Sequence, residues 1–315
     1  MKKISILIPA YNEQASLDKL FVRLANLAND MKDYSFEFLF INDGSRDKTL
    51  EIIKDYAEKD DRVAYVNFSR NFGKEIAMIA GLDHVTGDAT VIIDADLQDP
   101  PELIPQMVKF WEEGYDDVYA KRRTRAGETW LKKFTAKMYY RTLQRFSHIK
   151  IQEDTGDFRL LDRRAVEAMK LFRESQRNTK AMFSWIGFNK KEILYDRDAR
   201  EGGGTAWGYL KLINLAVDGI TSFTIAPLRI STVLGLLVSV FAFCYLIFLV
   251  VRTLLFGTDL GGYPSIMAAI LFLGGVQLLS LGIIGEYVGR IFNETKQRPL
   301  YLVEEYHAGT PKKAR

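Results

Sequence analysis

Three carboxylates crowd the end of an apolar run: Asp94, Asp96 and Asp99 stand in "DADLQDPPE", directly after "ATVII". Negative charge gathered at the end of a buried strand needs a positive partner. Asp94 and Asp96, two residues apart, can share a hard divalent cation, and that cation can neutralise a diphosphate. Pro100 and Pro101 stop the strand and start the helix that follows. His84, His148 and His307 are far apart, so zinc-type spacing is absent and any metal has to be held by oxygen.

The elements that would position these carboxylates alternate. Strand patterns "ISILIPA", "SFEFLFIND", "RVAYVNFS", "ATVIIDAD" and "DDVYAKR" are separated by helix patterns "SLDKLFVRLANLA", "KTLEIIKDYAE", "KEIAMIAGLDH" and "PELIPQMVKFWEEG". In the first helix Leu17, Leu20, Phe21, Leu24 and Leu27 share a face behind Ser16 as cap. Such alternation implies a mostly parallel sheet covered by helices, with ligands outside the carboxyl ends of its strands. The polar signatures "PAYNE", "NDGS", "SRNFGK" and "DADLQD" all follow strands, so four loops converge on one crevice. No G-x-G-x-x-G is present, and Gly73-Lys74 is followed by Glu75, so neither a dinucleotide fingerprint nor a P-loop is supported.

The chain has 315 residues, 48% of them hydrophobic, which points to two structural units. A net charge of +3 gives no case for nucleic acid, and the single Cys244 permits no internal disulfide. No charged residue occurs from Ile230 to Val251 or from Leu260 to Gly285, and each run is long enough to cross a bilayer as a helix. The short connection makes them a hairpin. Arg290, Lys296, Arg298, Lys312, Lys313 and Arg315 follow the second span, against Arg252 in the loop, so the bulk of the protein is expected on the cytoplasmic side.

"PAYNE", "NDGSRDKT", "NFGKEIAMIAGLDHVTGD", "DADLQDPPE" and "GDFRLLDR", followed by two spans, closely resemble the polyprenyl-phosphate glycosyltransferases, and most of all their bactoprenol glucosyltransferase branch. The resemblance implies an α/β fold: a GT-A type nucleotide-sugar-binding domain with a mostly parallel sheet, then a two-helix transmembrane hairpin. It implies a cytoplasmic transferase domain over 1–205, a juxtamembrane amphipathic helix over 206–228, and membrane helices at about 230–254 and 263–286 within 229–292. A cytoplasmic tail over 293–315 completes the expected order. The implied reaction moves glucose from UDP-glucose onto undecaprenyl phosphate with inversion, giving a lipid-linked donor for cell-envelope glycosylation. GDP-mannose is the alternative donor, and an inactive nucleotide-sugar-binding scaffold the alternative of another class. The implied location is the inner cell membrane. Small residues Gly274, Gly275 and Gly282 offer helix packing for a homo-oligomer.

Carried over by motif, Pro9, Tyr11, Glu13 and Asp43 would line the base and ribose pocket, while Asp94 and Asp96 would meet ribose, diphosphate and Mg2+ or Mn2+ beside Gln98. Arg122 stands where this family places an arginine for the acceptor phosphate. Arg70 and Lys74 are further phosphate candidates. Arg200, flanked by Gly202 to Gly204, is a candidate for a lid over the donor. Asp157, in "GDFR", would position the acceptor, take a residual proton, or act as a structural turn aspartate. The stretch from Lys121 to Arg145 holds nine basic residues and one acid, Glu128; as a helix over 128–146 it would lie on anionic lipid or pack on the sheet.

Overall fold

Predominantly apolar strands occupy the middle of the sheet. In the computed structural model β1 (Lys2–Ala10), β2 (Tyr34–Asn42) and β3 (Val63–Phe68) are buried almost throughout. They alternate with α1 (Leu17–Asp30), α2 (Thr49–Lys59) and α3 (Lys74–His84), and β4 (Ala89–Ile92), α4 (Ile104–Glu112) and β5 (Asp117–Arg122) continue the pattern. The structure describes residues 1–123, 155–175, 177–195, 226–257 and 262–309. Arg200, Gly202 to Gly204, the basic stretch over 128–146 and residues 206–225 lie outside them.

After the basic stretch come β6 (Thr155–Asp162), α5 (Arg163–Lys170), α6 (Thr179–Trp185) and β7 (Lys190–Tyr195), and β8 (Val303–His307) lies near the C-terminus. The strand order is β7-β5-β6-β4-β1-β2-β3-β8. β1 runs parallel to β2 and β4, β2 to β3, and β5 to β7, whereas β6 and β8 are antiparallel to their neighbours. The sheet is therefore mostly parallel, as expected. β6 was not evident as a strand because Asp157 and Arg159 interrupt it. Its alternation explains both readings: Phe158 and Leu160 enter the apolar core, while Asp157 and Arg159 face α3 and α6 side chains.

Packing fixes the helices on this frame. Leu17, Leu20, Leu24 and Ala28 of α1 are buried, and Phe21 meets Phe38 edge-on at 5.5 Å and stacks on Tyr56 at 4.3 Å. Ser16 makes no side-chain cap; its hydroxyl donates instead to the Glu13 carbonyl and carboxylate, at 3.1 and 2.8 Å. Gly81 lets α3 approach β1 closely, since a Cβ there would run into the Leu7 side chain.

The segment over 293–315 holds more regular structure than a bare tail. The last membrane-type helix runs to Thr295, and Val303–His307 adds an edge strand to the sheet. The described residues form two compact units, with 299–309 belonging to the first and 226–257 and 262–298 to the second. In the second unit α7 (Ala226–Phe256) and α8 (Tyr263–Thr295) lie against each other. Ile230–Phe248 has a mean hydropathy of 2.4 and Phe272–Thr295 of 1.4, and neither is buried within the protein. Leu236, Phe241, Leu278 and Leu281 are more than 60% exposed, a surface suited to hydrocarbon rather than water.

Candidate active site

The loops after β1 and β2 are tied by backbone donors. Asn12, at φ +57°, accepts from Arg46 N at 2.8 Å, and its own N–H donates to Ser45 Oγ at 3.0 Å. Glu13 N donates to Thr49 Oγ1 at 2.9 Å. Gly44 then has two reasons to be glycine: φ is +65°, and a Cβ would stand 2.5 Å from the Arg70 carbonyl carbon. The loop after β3 is therefore pressed against the loop after β2.

Asp43 locks that contact. One carboxylate oxygen accepts from Phe72 N at 2.6 Å and the other from Gly73 N at 2.9 Å. Burial raises its carboxyl above the ordinary range, against those two bonds and the charge of Arg70. Arg70 donates to the Asn71 carbonyl at 3.0 Å and lies 4.0 Å over the Phe72 ring. Pro9 pairs opposite Ile41 inside the sheet, whereas Tyr11 is 42% exposed.

The loop after β4 supplies the charged centre. Lys74 Nζ, from the first turn of α3, lies 2.7 Å from both oxygens of Asp94 and 2.5 Å from Asp157 Oδ2. Burial acts against the lysine cation, but the two carboxylates outweigh it and raise its pKa. Burial also pushes Asp157 up, yet the charges of Lys74 and Lys180 more than offset it and hold that carboxyl below the usual range. Asp94 is raised, by burial first and by Asp157 and Asp96 in addition, with Lys74 opposing. Asp96 accepts from Gln98 N at 3.2 Å, across Leu97 at φ +62°.

Two buried polar atoms at this centre have no hydrogen-bond partner among the described residues: Asp157 Oδ1 and Arg122 Nε. Arg122 passes Gly156, where a Cβ would be 3.8 Å from its Nη2, and its side chain bonds Tyr195. The Tyr195 hydroxyl donates to Asp99 Oδ1 at 2.6 Å and is pushed up to about 12, chiefly by burial. The structure thus joins Lys74, Asp94 and Asp157, places Arg122 near Asp157's strand, and leaves Arg70 and Tyr11 in separate loops.

Sequence reasoning missed Lys180, Glu75 and Tyr195. Lys180, in α6, has its pKa lowered by burial, with Asp157, Lys74, Arg122 and Glu75 as its charged neighbours. Glu75 Oε2 accepts from Thr179 N at 2.9 Å and so anchors α6 to α3. Arg159 is fully buried 3.1 Å from Asp117 and 3.8 Å over the Phe183 ring, behind Asp157 on β6.

Among the described residues no three Asp, Glu, His or Cys side chains form a metal cluster. The donor set still fits a hard divalent cation held through one or two carboxylates, with phosphate oxygens and water supplying the rest. Asp94 and Asp96 are the carboxylates that would hold it, with the cation taking the place of Lys74 on an Asp94 oxygen, and the buried Asp157 Oδ1 accepts no hydrogen bond among the described residues.

A GT-A type α/β domain with a charged crevice at the carboxyl edge of its parallel strands, on a chain with two membrane-length apolar helices, defines a membrane-associated transferase class. Residues 5–170 match the model of glycosyl transferase family 2 and residues 226–291 that of the GtrB C-terminal hairpin, so the chain belongs to glycosyl transferase family 2. It is 51% identical to an uncharacterized glycosyltransferase of Synechocystis sp., over 96% of this chain and 95% of that one. It is 44% identical to the SfII prophage-derived bactoprenol glucosyl transferase of Shigella flexneri, over 98% and 100% of the two chains. A glucosyl-3-phosphoglycerate synthase from Mycobacterium tuberculosis, solved with Mn2+ and uridine diphosphate, has a TM-score of 0.45 at 19% identity, covering 69% of this chain and 75% of that one.

Proposed function

We propose that the protein transfers glucose from UDP-glucose to a polyprenyl phosphate with inversion, with its catalytic domain on the cytoplasmic side of the inner membrane. The observation that carries this reading is the Lys74 bridge between Asp94 and Asp157, beside the unpartnered Asp157 Oδ1 and Arg122 Nε. Full-length similarity to bactoprenol glucosyl transferases supports the choice of sugar and lipid.

An acceptor phosphate oxygen forms the new bond to the anomeric carbon as the bond to the donor's diphosphate oxygen breaks, and the nucleoside diphosphate leaves with the electron pair. A phosphate monoester has its second pKa at about 6, so at neutral pH the nucleophile needs little help from a base. Lys74 balances Asp94 and Asp157 and presents a cation beside the charge that grows on the leaving group. Asp157, kept ionised, positions the acceptor and takes any residual proton at Oδ1. Arg122 and Lys180 meet the acceptor phosphate. Mg2+ or Mn2+ at Asp94 and Asp96 would neutralise diphosphate oxygens.

The test is transfer of label from UDP-glucose or GDP-mannose to polyprenyl phosphate by purified protein, with and without chelator. Label entering the lipid phase from UDP-glucose, and lost in chelator, is expected. Label from GDP-mannose alone would change the sugar, and nucleotide binding without any transfer would make the protein a scaffold.

A further inference from the structure

The C-terminal strand reaches the donor side of the crevice. Leu302 O accepts from Ser69 N at 3.1 Å, one residue before Arg70. The Tyr301 ring stacks on Phe68 at 5.2 Å, Phe68 in turn meets Phe72 edge-on at 5.6 Å, and the Tyr301 hydroxyl donates to Asp83 at 2.9 Å. Phe72 is a residue whose N–H holds the Asp43 carboxylate. Tyr301 and Leu302, leading into β8, therefore back the loop that closes on Asp43.

A second line of contacts runs through the sheet. Glu304 accepts from Asn67 Nδ2 at 3.0 Å, and Asn67 Oδ1 accepts from Asn42 Nδ2 at 2.7 Å. A carboxylate only accepts, so Glu304 sets the direction of both amides. Asn42 Oδ1 is left buried and without a partner among the described residues, next to Asp43. Without Glu304 the two amides can turn over together and keep the bond between them, with its direction reversed.

The far end of β8 does other work. His307 stacks on Tyr65 at 5.4 Å and Glu305 pairs with Lys54 at 2.5 Å, both away from the 69–73 loop, while Tyr306 packs on His84, whose ring also lies 6.3 Å from Tyr301.

We infer that β8, with Tyr301 and Leu302 leading into it, is a positioning element for the donor nucleotide: Tyr301, Leu302 and Glu304 hold the 69–73 loop and the Asn42 amide in the arrangement that receives a nucleoside diphosphate. This rests on the nucleotide-sugar reading of the crevice. The three residues touch no substrate and act through Phe72, Asn67 and Asn42.

The experiment uses full-length protein in detergent and titrates UDP and GDP before any transfer is measured, so it does not depend on the identity of the sugar. Tyr301→Ala combined with Glu304→Ala should weaken binding of the preferred nucleotide, and raise the donor KM, by about tenfold through lost preorganisation. The acceptor KM should stay within about twofold of wild type. Tyr301→Phe, which keeps the ring stack, should bind nucleotide as wild type does. His307→Ala, which loses only the stack on Tyr65 at the other end of the strand, should leave nucleotide affinity unchanged. Unaltered affinity in the double variant, or an equal loss in His307→Ala, would overturn the inference and leave β8 as a cover for the sheet edge. If wild type binds neither nucleotide, the reading of the crevice fails as well.

Discussion

Lys74 is the residue on which the electrostatics of the crevice turn. It sits between two carboxylates that otherwise repel, so Lys74→Met removes the cation nearest the leaving group and should lower kcat by about 10²- to 10³-fold. Initial rates at saturating donor and acceptor check this; a variant within tenfold of wild type would contradict it. Asp157→Asn has a different expected profile. Transfer should fall by about 10- to 100-fold at pH 6 and less at pH 8, where the acceptor phosphate is fully ionised without help. A loss independent of pH would give Asp157 a structural role. Asp94 and Asp96 were legible in the sequence because two carboxylates leaving an apolar strand are conspicuous. Lys180 and Tyr195 were not, because their meaning lies in distant partners: Tyr195 meets Asp99, 96 residues earlier. Asp43 was legible as a crevice residue, but its bonds to Phe72 N and Gly73 N required the loop geometry.

At the scale of elements, alternating apolar runs announced β1 to β5 and α1 to α4. Strands β6 and β8 escaped for separate reasons. β6 carries Asp157 and Arg159 in its interior, which an apolar-run reading takes for a loop. β8, "VEEYH", is a short edge strand whose exposed residues leave no apolar signature. The N-terminal side of the sheet holds a buried group with a pH signature. Glu37 accepts from Lys3 Nζ at 3.0 Å, Thr86 N at 3.0 Å, Thr86 Oγ1 at 2.7 Å and the Ser5 hydroxyl. Burial raises its carboxyl, but these bonds outweigh burial and hold it below the ordinary value. A depressed folded pKa stabilises the protein above the unfolded value of about 4.3 and loses that contribution as pH falls through the folded value. Glu37→Gln should therefore melt well below wild type at pH 7, with the gap closing at acid pH. A gap that is constant with pH would show that packing, not ionisation, is what Glu37 contributes. Within the core, Phe40→Ala removes a fully buried ring between α1 and α2 and should cost about 3–5 kcal/mol in denaturant unfolding.

For the whole molecule, the two uncharged runs were readable from composition alone, while the return of the chain to the sheet after the second of them was not. α7 and α8 expose large apolar side chains along their lengths, so the protein should stay with the membrane pellet after an alkaline carbonate wash. Release into the supernatant would contradict spanning. A lipid phosphate that displaces the nucleoside diphosphate in one in-line step, in the crevice of Lys74, Asp94 and Asp157, inverts the anomeric carbon, so the configuration of the product reports the step. Purified protein given UDP-glucose, whose glucosyl bond is α, should yield a β-linked lipid product, read from the proton coupling at the anomeric carbon by NMR. An α-linked product would mean retention and would contradict displacement from the face opposite the nucleotide.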